Sequence, residues 1–380
     1  MISQRADMMT PFYVMEILEK AEKMERAGES VIHLEIGEPD FPTPPCIRDA
    51  GIRAIKEGKT GYTHSLGLRE LREAISRFHH THYGVEIHPD QIIITGGSSP
   101  AMFLVFASLI ETGDEVVLSN PHYACYPHFV RFLGGIPKFV PIRESEDFQM
   151  VPHEVKAQIT ARTKAIVINS PSNPTGYLLS DANIDEIAAL GPLIISDEIY
   201  HGLVYEGRER SILEFSSNAV VLNGFSKRYS MTGWRLGYAI VPPRLIGTLQ
   251  KLHQNFFISA NAFVQWAGIA ALEEADSDVE KMRKTYDQRR LLMVGRLQDL
   301  GFAVASPPNG AFYVFVNARH YNRDSLDFAF QILERAKVGV TPGIDFGDQG
   351  EGYLRFSYAN SAENIEEGMN RLDCFLRGLR

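Results

Sequence analysis

Leu193-Ile194-Ile195-Ser196-Asp197-Glu198-Ile199-Tyr200 is the stretch that decides the fold. Its apolar run offers no polar alternation, so it reads as a strand buried on both faces, and Asp197 sets a carboxylate at that strand's edge. Similar short runs stand at 91–95, 115–118, 165–168 and 220–223, with helical patterns between most of them and an apolar helix from Pro100. Strands alternating with helices mean βαβ units and a mostly parallel sheet covered on both faces, an α/β architecture.

The character of the chain changes near Asp278. A charged helical pattern over 279–300 leads to a strand over 312–316, a helix from 324, a strand over 353–358 and an amphipathic helix from 362. The expected division is a large domain over 41–277 and a smaller α+β domain built from 1–40 and 278–380. That residues 1–40, with the helix over 12–27, join the smaller domain is what the family resemblance given below implies.

With 380 residues, 44% hydrophobic and 22% charged, the composition is that of a soluble globular protein long enough for two such domains. A net charge of -9 and no Lys/Arg run argue against nucleic acid as a partner. Cys46, Cys125 and Cys374 lie far apart and form no CxxC pair, which excludes a disulfide framework and a thiolate zinc cluster and points to a reduced, cytoplasmic setting. Residues 1–10 carry no apolar signal core, and the longest apolar run, 101–110, is about half of the ~20 residues a membrane span needs.

In an open parallel sheet, ligands sit beyond the carboxyl ends of the strands. Four such ends carry polar groups: Gly96-Gly97-Ser98-Ser99, Asn173 in Ser170-Pro171-Ser172-Asn173-Pro174-Thr175-Gly176, Asp197, and Ser226-Lys227. A lysine in this place is partly desolvated, which lowers its pKa and frees the neutral amine for a Schiff base. A solvated surface lysine is the bland reading, and a turn aspartate the bland reading of Asp197. Together the two suit a pyridoxal-phosphate (PLP) site, where a carboxylate keeps the cofactor's ring nitrogen protonated. Asn173 and Tyr200 are placed for the cofactor's phenolic oxygen. The Gly97-Ser98-Ser99 turn opens a helix, whose N–H groups favour a phosphate, and Arg235 can add a charge-assisted contact. Arg355, inside the apolar run Tyr353-Leu354-Arg355-Phe356-Ser357-Tyr358, needs an anionic partner: a structural salt bridge or a substrate carboxylate.

On these motifs the sequence resembles the class I/II aminotransferases, PLP enzymes of fold-type I related to aspartate aminotransferase. The resemblance runs from Gly37-Glu38-Pro39-Asp40-Phe41 to the Arg355 strand. It is most specific in Ser226-Lys227, in Met231-Thr232-Gly233-Trp234-Arg235-Leu236-Gly237, and in the thirty-residue spacing from Asp197 to Lys227. It implies that Lys227 carries PLP as a Schiff base and then moves the substrate's α-proton. Asp197 would meet the ring nitrogen, and Asn173 and Tyr200 the phenolic oxygen. Gly97, Ser98, Ser99, Ser226 and Arg235 would hold the phosphate, and Tyr123 would stack on the ring. Arg355, Asn173 and the Gly37 backbone would take the substrate carboxylate. Tyr62 would reach a neighbouring subunit's phosphate, which implies a homodimer with shared active sites.

The implied reaction is ping-pong amino transfer from an L-amino acid to a 2-oxo acid, with 2-oxoglutarate the expected acceptor. A C–S lyase or other eliminating enzyme on the same scaffold shares the first step. Aspartate-preferring relatives often carry a lysine where this chain has Ser98, and Thr10-Pro11-Phe12-Tyr13-Val14 is more apolar than their counterpart. Both departures favour neutral or aromatic donors. Gly58-Lys59-Thr60 is no P-loop, because Arg53 stands where that motif needs glycine. His79, His80, His82 and His88 read as solvated surface histidines, so no metal is expected.

Overall fold

A computed structural model describes residues 2–304 and 306–378. In chain order its strands are β1 (Ile32–His33), β2 (Ile92–Thr95), β3 (Glu115–Asn120), β4 (Ile136–Pro141), β5 (Thr163–Asn169) and β6 (Leu193–Asp197). They continue as β7 (Ala219–Gly224), β8 (Gly237–Ile240), β9 (Tyr313–Asn317), β10 (Val338–Gly339), β11 (Thr341–Pro342) and β12 (Tyr353–Ser357). Seven of them form one sheet in the order β2-β8-β7-β6-β5-β3-β4. Every neighbouring pair is parallel except the two that involve β8. The mostly parallel α/β sheet read from the sequence is therefore present.

Both faces of this sheet are covered, which is why its strands lack alternation. Ile93, Leu118, Val167 and Ile195 pack into one core with Leu104, Val105 and Phe106 of the helix Ser98–Leu109. Ile94, Val117, Ile168 and Ile194 face the opposite core, with Leu71 and Ile75 of the helix Arg69–Tyr83. At roughly 1.5–3 kcal/mol for each large apolar side chain buried, these two layers dominate the stabilisation of the sheet.

The remaining strands form two small sheets. β1 pairs with β10 in parallel, and β12 lies antiparallel between β11 and β9. The helix Tyr13–Arg26 packs on the helix Ser325–Ala336 and on β11, so the start of the chain meets its final third. Strand β12 is buried along its whole length and carries Arg355 at its centre.

The histidine reading needs one correction. His80 and His88 are exposed, but His79 is fully buried on the inner face of its helix, with Nε2 3.3 Å from the Tyr238 hydroxyl. Burial pushes its pKa down to about 3, so it is a neutral core residue. Among the described residues no helix is long and apolar enough to cross a membrane.

Candidate active site

Register places the polar ends of the parallel strands at one level. Asn169 at the end of β5 is opposite Asp197 at the end of β6, and β7 runs alongside into the turn that holds Lys227. Beyond these ends lies a cavity of about 220 Å³. Gly37, Ser98, Ser99, Tyr123, Asn173, Asp197, Tyr200, Lys227 and Arg355 all line it, although they are spread over more than three hundred residues of chain. Gly97, Ser226, Arg235 and Tyr62 do not line it. Gly97 and Arg235 stand beside each other next to Ser98, whereas Tyr62 is 85% exposed.

Lys227 Nζ donates to the Gly37 carbonyl at 2.5 Å. Burial pushes its pKa down to about 8. Glu38 opposes this, and the positive charges of Arg355 and Arg235 add to it. An amine with an ordinary lysine pKa is neutral in only about 0.3% of molecules at pH 8, whereas Lys227 is neutral in about half. Asp197 is shifted up, also by burial first, and is held back by a 2.7 Å hydrogen bond from the Tyr126 hydroxyl and by the Ile199 N–H at 3.2 Å. Asn169 fixes the same strand end by donating to the Asp197 carbonyl at 2.9 Å, and its Oδ1 accepts the Asn173 N–H at 2.8 Å.

Arg355 is clamped. Its Nη1 donates to Asn173 Oδ1 at 2.9 Å, and its Nη2 to the Glu35 carbonyl at 2.6 Å and Thr341 Oγ1 at 3.0 Å. The guanidinium lies 4.3 Å from the Tyr313 ring centroid and 5.0 Å from that of Phe346. Its buried Nε has no partner among the described residues, and the side chain lines the cavity. Tyr200 and Tyr313 hydroxyls meet at 2.7 Å nearby.

At the Ser98 end, the helix Ser98–Leu109 begins with its N–H groups free of side-chain caps. Gly97 has φ 113°, and a Cβ there would come within 2.6 Å of Arg235 Nη2. Gly237 is equally constrained, since a Cβ on it would meet the Gly97 carbonyl carbon at 2.5 Å. Arg235 itself holds φ 56°, a conformation that costs a non-glycine roughly 1–2 kcal/mol. Two glycines and one strained arginine thus bring backbone donors, hydroxyls and a guanidinium together, a donor set suited to a phosphate.

A donor set suited to a phosphate, a carboxylate at a strand end, a lysine half neutral near pH 8 and a buried arginine thus stand together at one end of the sheet. Residues 29–372 match the model of aminotransferase class I and II. The chain belongs to this family. The aminotransferases are PLP-dependent, and the residues described above fit PLP in both its phosphate and its ring. The chain is 48% identical to a (5-formylfuran-3-yl)methyl phosphate transaminase of Methanocaldococcus jannaschii, over 99% of this chain and all of that protein. A Methanococcus jannaschii structure described as similar in its active site to kynurenine aminotransferases superposes with a TM-score of 0.91 at 46% identity, covering 99% of this chain and 100% of that one. The aspartate aminotransferase of Thermus thermophilus with maleate gives 0.95 at 36%, covering 99% of each. This aminotransferase is accordingly an enzyme of amino-group transfer on the fold-type I scaffold.

Tyr126, Asn169 and Tyr313 escaped the sequence reading. Asn169 directly follows the run 165–168 and was findable by the strand-end rule. Tyr126 and Tyr313 reach the site from a helix and a distant strand, and nothing local marks them.

Proposed function

We propose that this aminotransferase takes an L-amino donor with a neutral or aromatic side chain and passes its amino group, by ping-pong exchange, to a 2-oxo acid such as 2-oxoglutarate. The observation that carries the reading is the shared cavity: among the described residues Lys227 and Arg355 are its only cationic lining residues, and Phe12, Val14, Met15 and Leu18 make an apolar wall. Ser98 offers a hydroxyl where a second carboxylate would need a cation. The relatives of known specificity act on different substrates, so the wall of this chain is the better guide.

PLP, when bound, supplies an electron sink for the negative charge left at the substrate α-carbon. Lys227 would hold it, and its neutral amine would take and return the α-proton. Asp197 meets the ring nitrogen, with Tyr126 orienting the carboxylate. Asn173 and Tyr200 would hold the phenolic oxygen, and Tyr123 would support the ring. Gly97, Ser98, Ser99, Ser226 and Arg235 hold the phosphate, while Arg355, Asn173 and the Gly37 backbone fix the donor carboxylate. Tyr62 completes the phosphate site of a second copy in a homodimer, a role its exposure favours. The division into 41–277 and 1–40 with 278–380 is supported by the pairing of β1 with β10.

Visible absorbance during titration with aspartate, glutamate, alanine, phenylalanine, tyrosine and cystathionine tests the reading. Conversion to the pyridoxamine form by the neutral or aromatic donors is expected. Release of ammonia and pyruvate instead would mean an eliminating enzyme.

Two further results are expected. PLP uptake by the apoprotein, which needs the neutral Lys227 amine, rises with pH and levels off above about 8. A rise still continuing toward pH 10.5 would show an unperturbed lysine. Tyr126→Phe removes one hydrogen bond to a charged group, about 1.5–3 kcal/mol, so PLP binds roughly ten- to a hundredfold more weakly. An unchanged Kd in fluorescence titration would take Tyr126 out of the cofactor's support.

A further inference from the structure

The apolar wall of the cavity belongs to a segment with little of its own to hold it. The helix Tyr13–Arg26 starts after Phe12, whose side chain has no oxygen to accept the first N–H groups. The cap comes from the far end of the chain. Asp345 Oδ1 accepts the Tyr13 N–H at 3.0 Å, and Oδ2 accepts the Val14 N–H at 3.2 Å. Asp345 is itself buried, and its carboxyl, raised by burial to about 6, is ionised at neutral pH, so both oxygens accept.

Open space lies on both sides of this segment. Inside is the 220 Å³ cavity; outside, behind Phe12 and Tyr13, is a second cavity of about 390 Å³, lined largely by apolar residues and reached by Asp345. With unfilled volume on each side, close packing constrains residues 10–13 less than Val14, which is buried on the same helix face as Ile17 and Ala21. Among the described residues the segment's other side-chain hydrogen bond is the 3.2 Å contact between Thr10 Oγ1 and His128 Nε2.

Asp345 is well placed to fix this segment. It lies in the turn Gly343–Phe346, which follows β11, and Thr341 of β11 pairs with Arg355. Within the turn, the Ile344 N–H donates to Ser325 Oγ at 3.1 Å, and the Phe346 carbonyl accepts the His122 N–H at 2.9 Å. The Phe346 ring lies against the Arg355 guanidinium. One four-residue turn therefore touches the carboxylate grip, the Tyr123 loop and the start of the helix.

We propose that Asp345 is a positioning residue for the donor's side chain: by capping the helix Tyr13–Arg26 from across the chain, it holds Phe12 and Val14 at a fixed distance from Arg355. This rests on the reading that the cavity takes the amino donor. Asp345 touches neither donor nor cofactor and acts through the segment it caps.

The test uses Asp345→Asn and Asp345→Ala in the PLP-loaded enzyme. Losing hydrogen bonds to a charged acceptor should raise KM for phenylalanine about tenfold or more in Asp345→Ala. The limiting rate and the cofactor's absorbance should stay near wild type. KM for alanine, whose methyl group stops short of the segment, should move little, and Asp345→Asn, with one accepting oxygen left, should fall between. Equal losses for both donors, or a loss confined to kcat, would overturn the proposal. Hydrogen exchange of the peptide spanning 9–19 provides a measurement that needs no donor and survives a poorly folding alanine variant. Faster exchange in Asp345→Asn than in wild type is expected, and unchanged protection would overturn the capping role. A wild-type enzyme whose absorbance answers to no donor would instead sink the reading of the site, with the exchange data still deciding the cap.

Discussion

Lys227→Ala should lose turnover by a factor on the order of 10⁴ or more. The amine stands in the turn that follows β7, hydrogen-bonded to the Gly37 carbonyl and lining the cavity, with its pKa brought down to about 8. Among the described residues the other cation lining the cavity is Arg355, which cannot deprotonate and so cannot replace it as nucleophile or base. PLP should still bind, because Asp197, Tyr123 and the Ser98 turn are left intact, but with an absorbance that borohydride treatment no longer fixes to the protein. Lys227→Arg is the control for charge: it restores a cation but no amine, and it should be as inactive as alanine. Substantial multiple turnover in either variant would sink the assignment of Lys227.

How much of this was legible depends on which interactions are local. The runs 193–196 and 220–223 could be read because a strand buried on both faces must be apolar throughout, and each ends where a polar residue first appears. The cavity-lining positions at those ends, Asp197 and Lys227, came with them. β4 and β8 did not. β4 is an edge strand with partly exposed residues and a proline at position 137 and another at 141, so it lacks the apolar signature. β8 has four residues and sits between β2 and β7, which precede it in the chain, so nothing nearby specifies its pairing. His79 was misread because four histidines in ten residues look like a solvated patch, yet only one face of that helix meets water. The Asp345 cap spans more than three hundred residues and has no sequence pattern at all.

Arg355 gives the second large effect, and the experiment must separate recognition from stability. Arg355→Leu also removes donors from Asn173 Oδ1 and the Glu35 carbonyl, so some destabilisation is expected whatever the function. Truncating one partner of a buried charge pair costs about 2–5 kcal/mol, which is roughly thirty- to a few thousandfold in kcat/KM. Arg355→Lys should recover little. A lysine cannot present the planar donor set that is stacked between Tyr313 and Phe346, and its point charge cannot satisfy Asn173, Thr341 and an incoming carboxylate together. The discriminating measurement compares phenylalanine with phenethylamine, the same side chain without its carboxylate. If Arg355 grips the carboxylate, the variants lose their rate with phenylalanine and keep the low rate that wild type shows with phenethylamine, so the preference for the amino acid collapses. If Arg355 only braces β12 against the segment after β1 that holds Glu35, both substrates fall by the same factor and the preference survives. The Arg355 side chain lines the same cavity as Lys227 and Asn173, where a donor's carboxylate would stand, and that shared placement favours the first outcome.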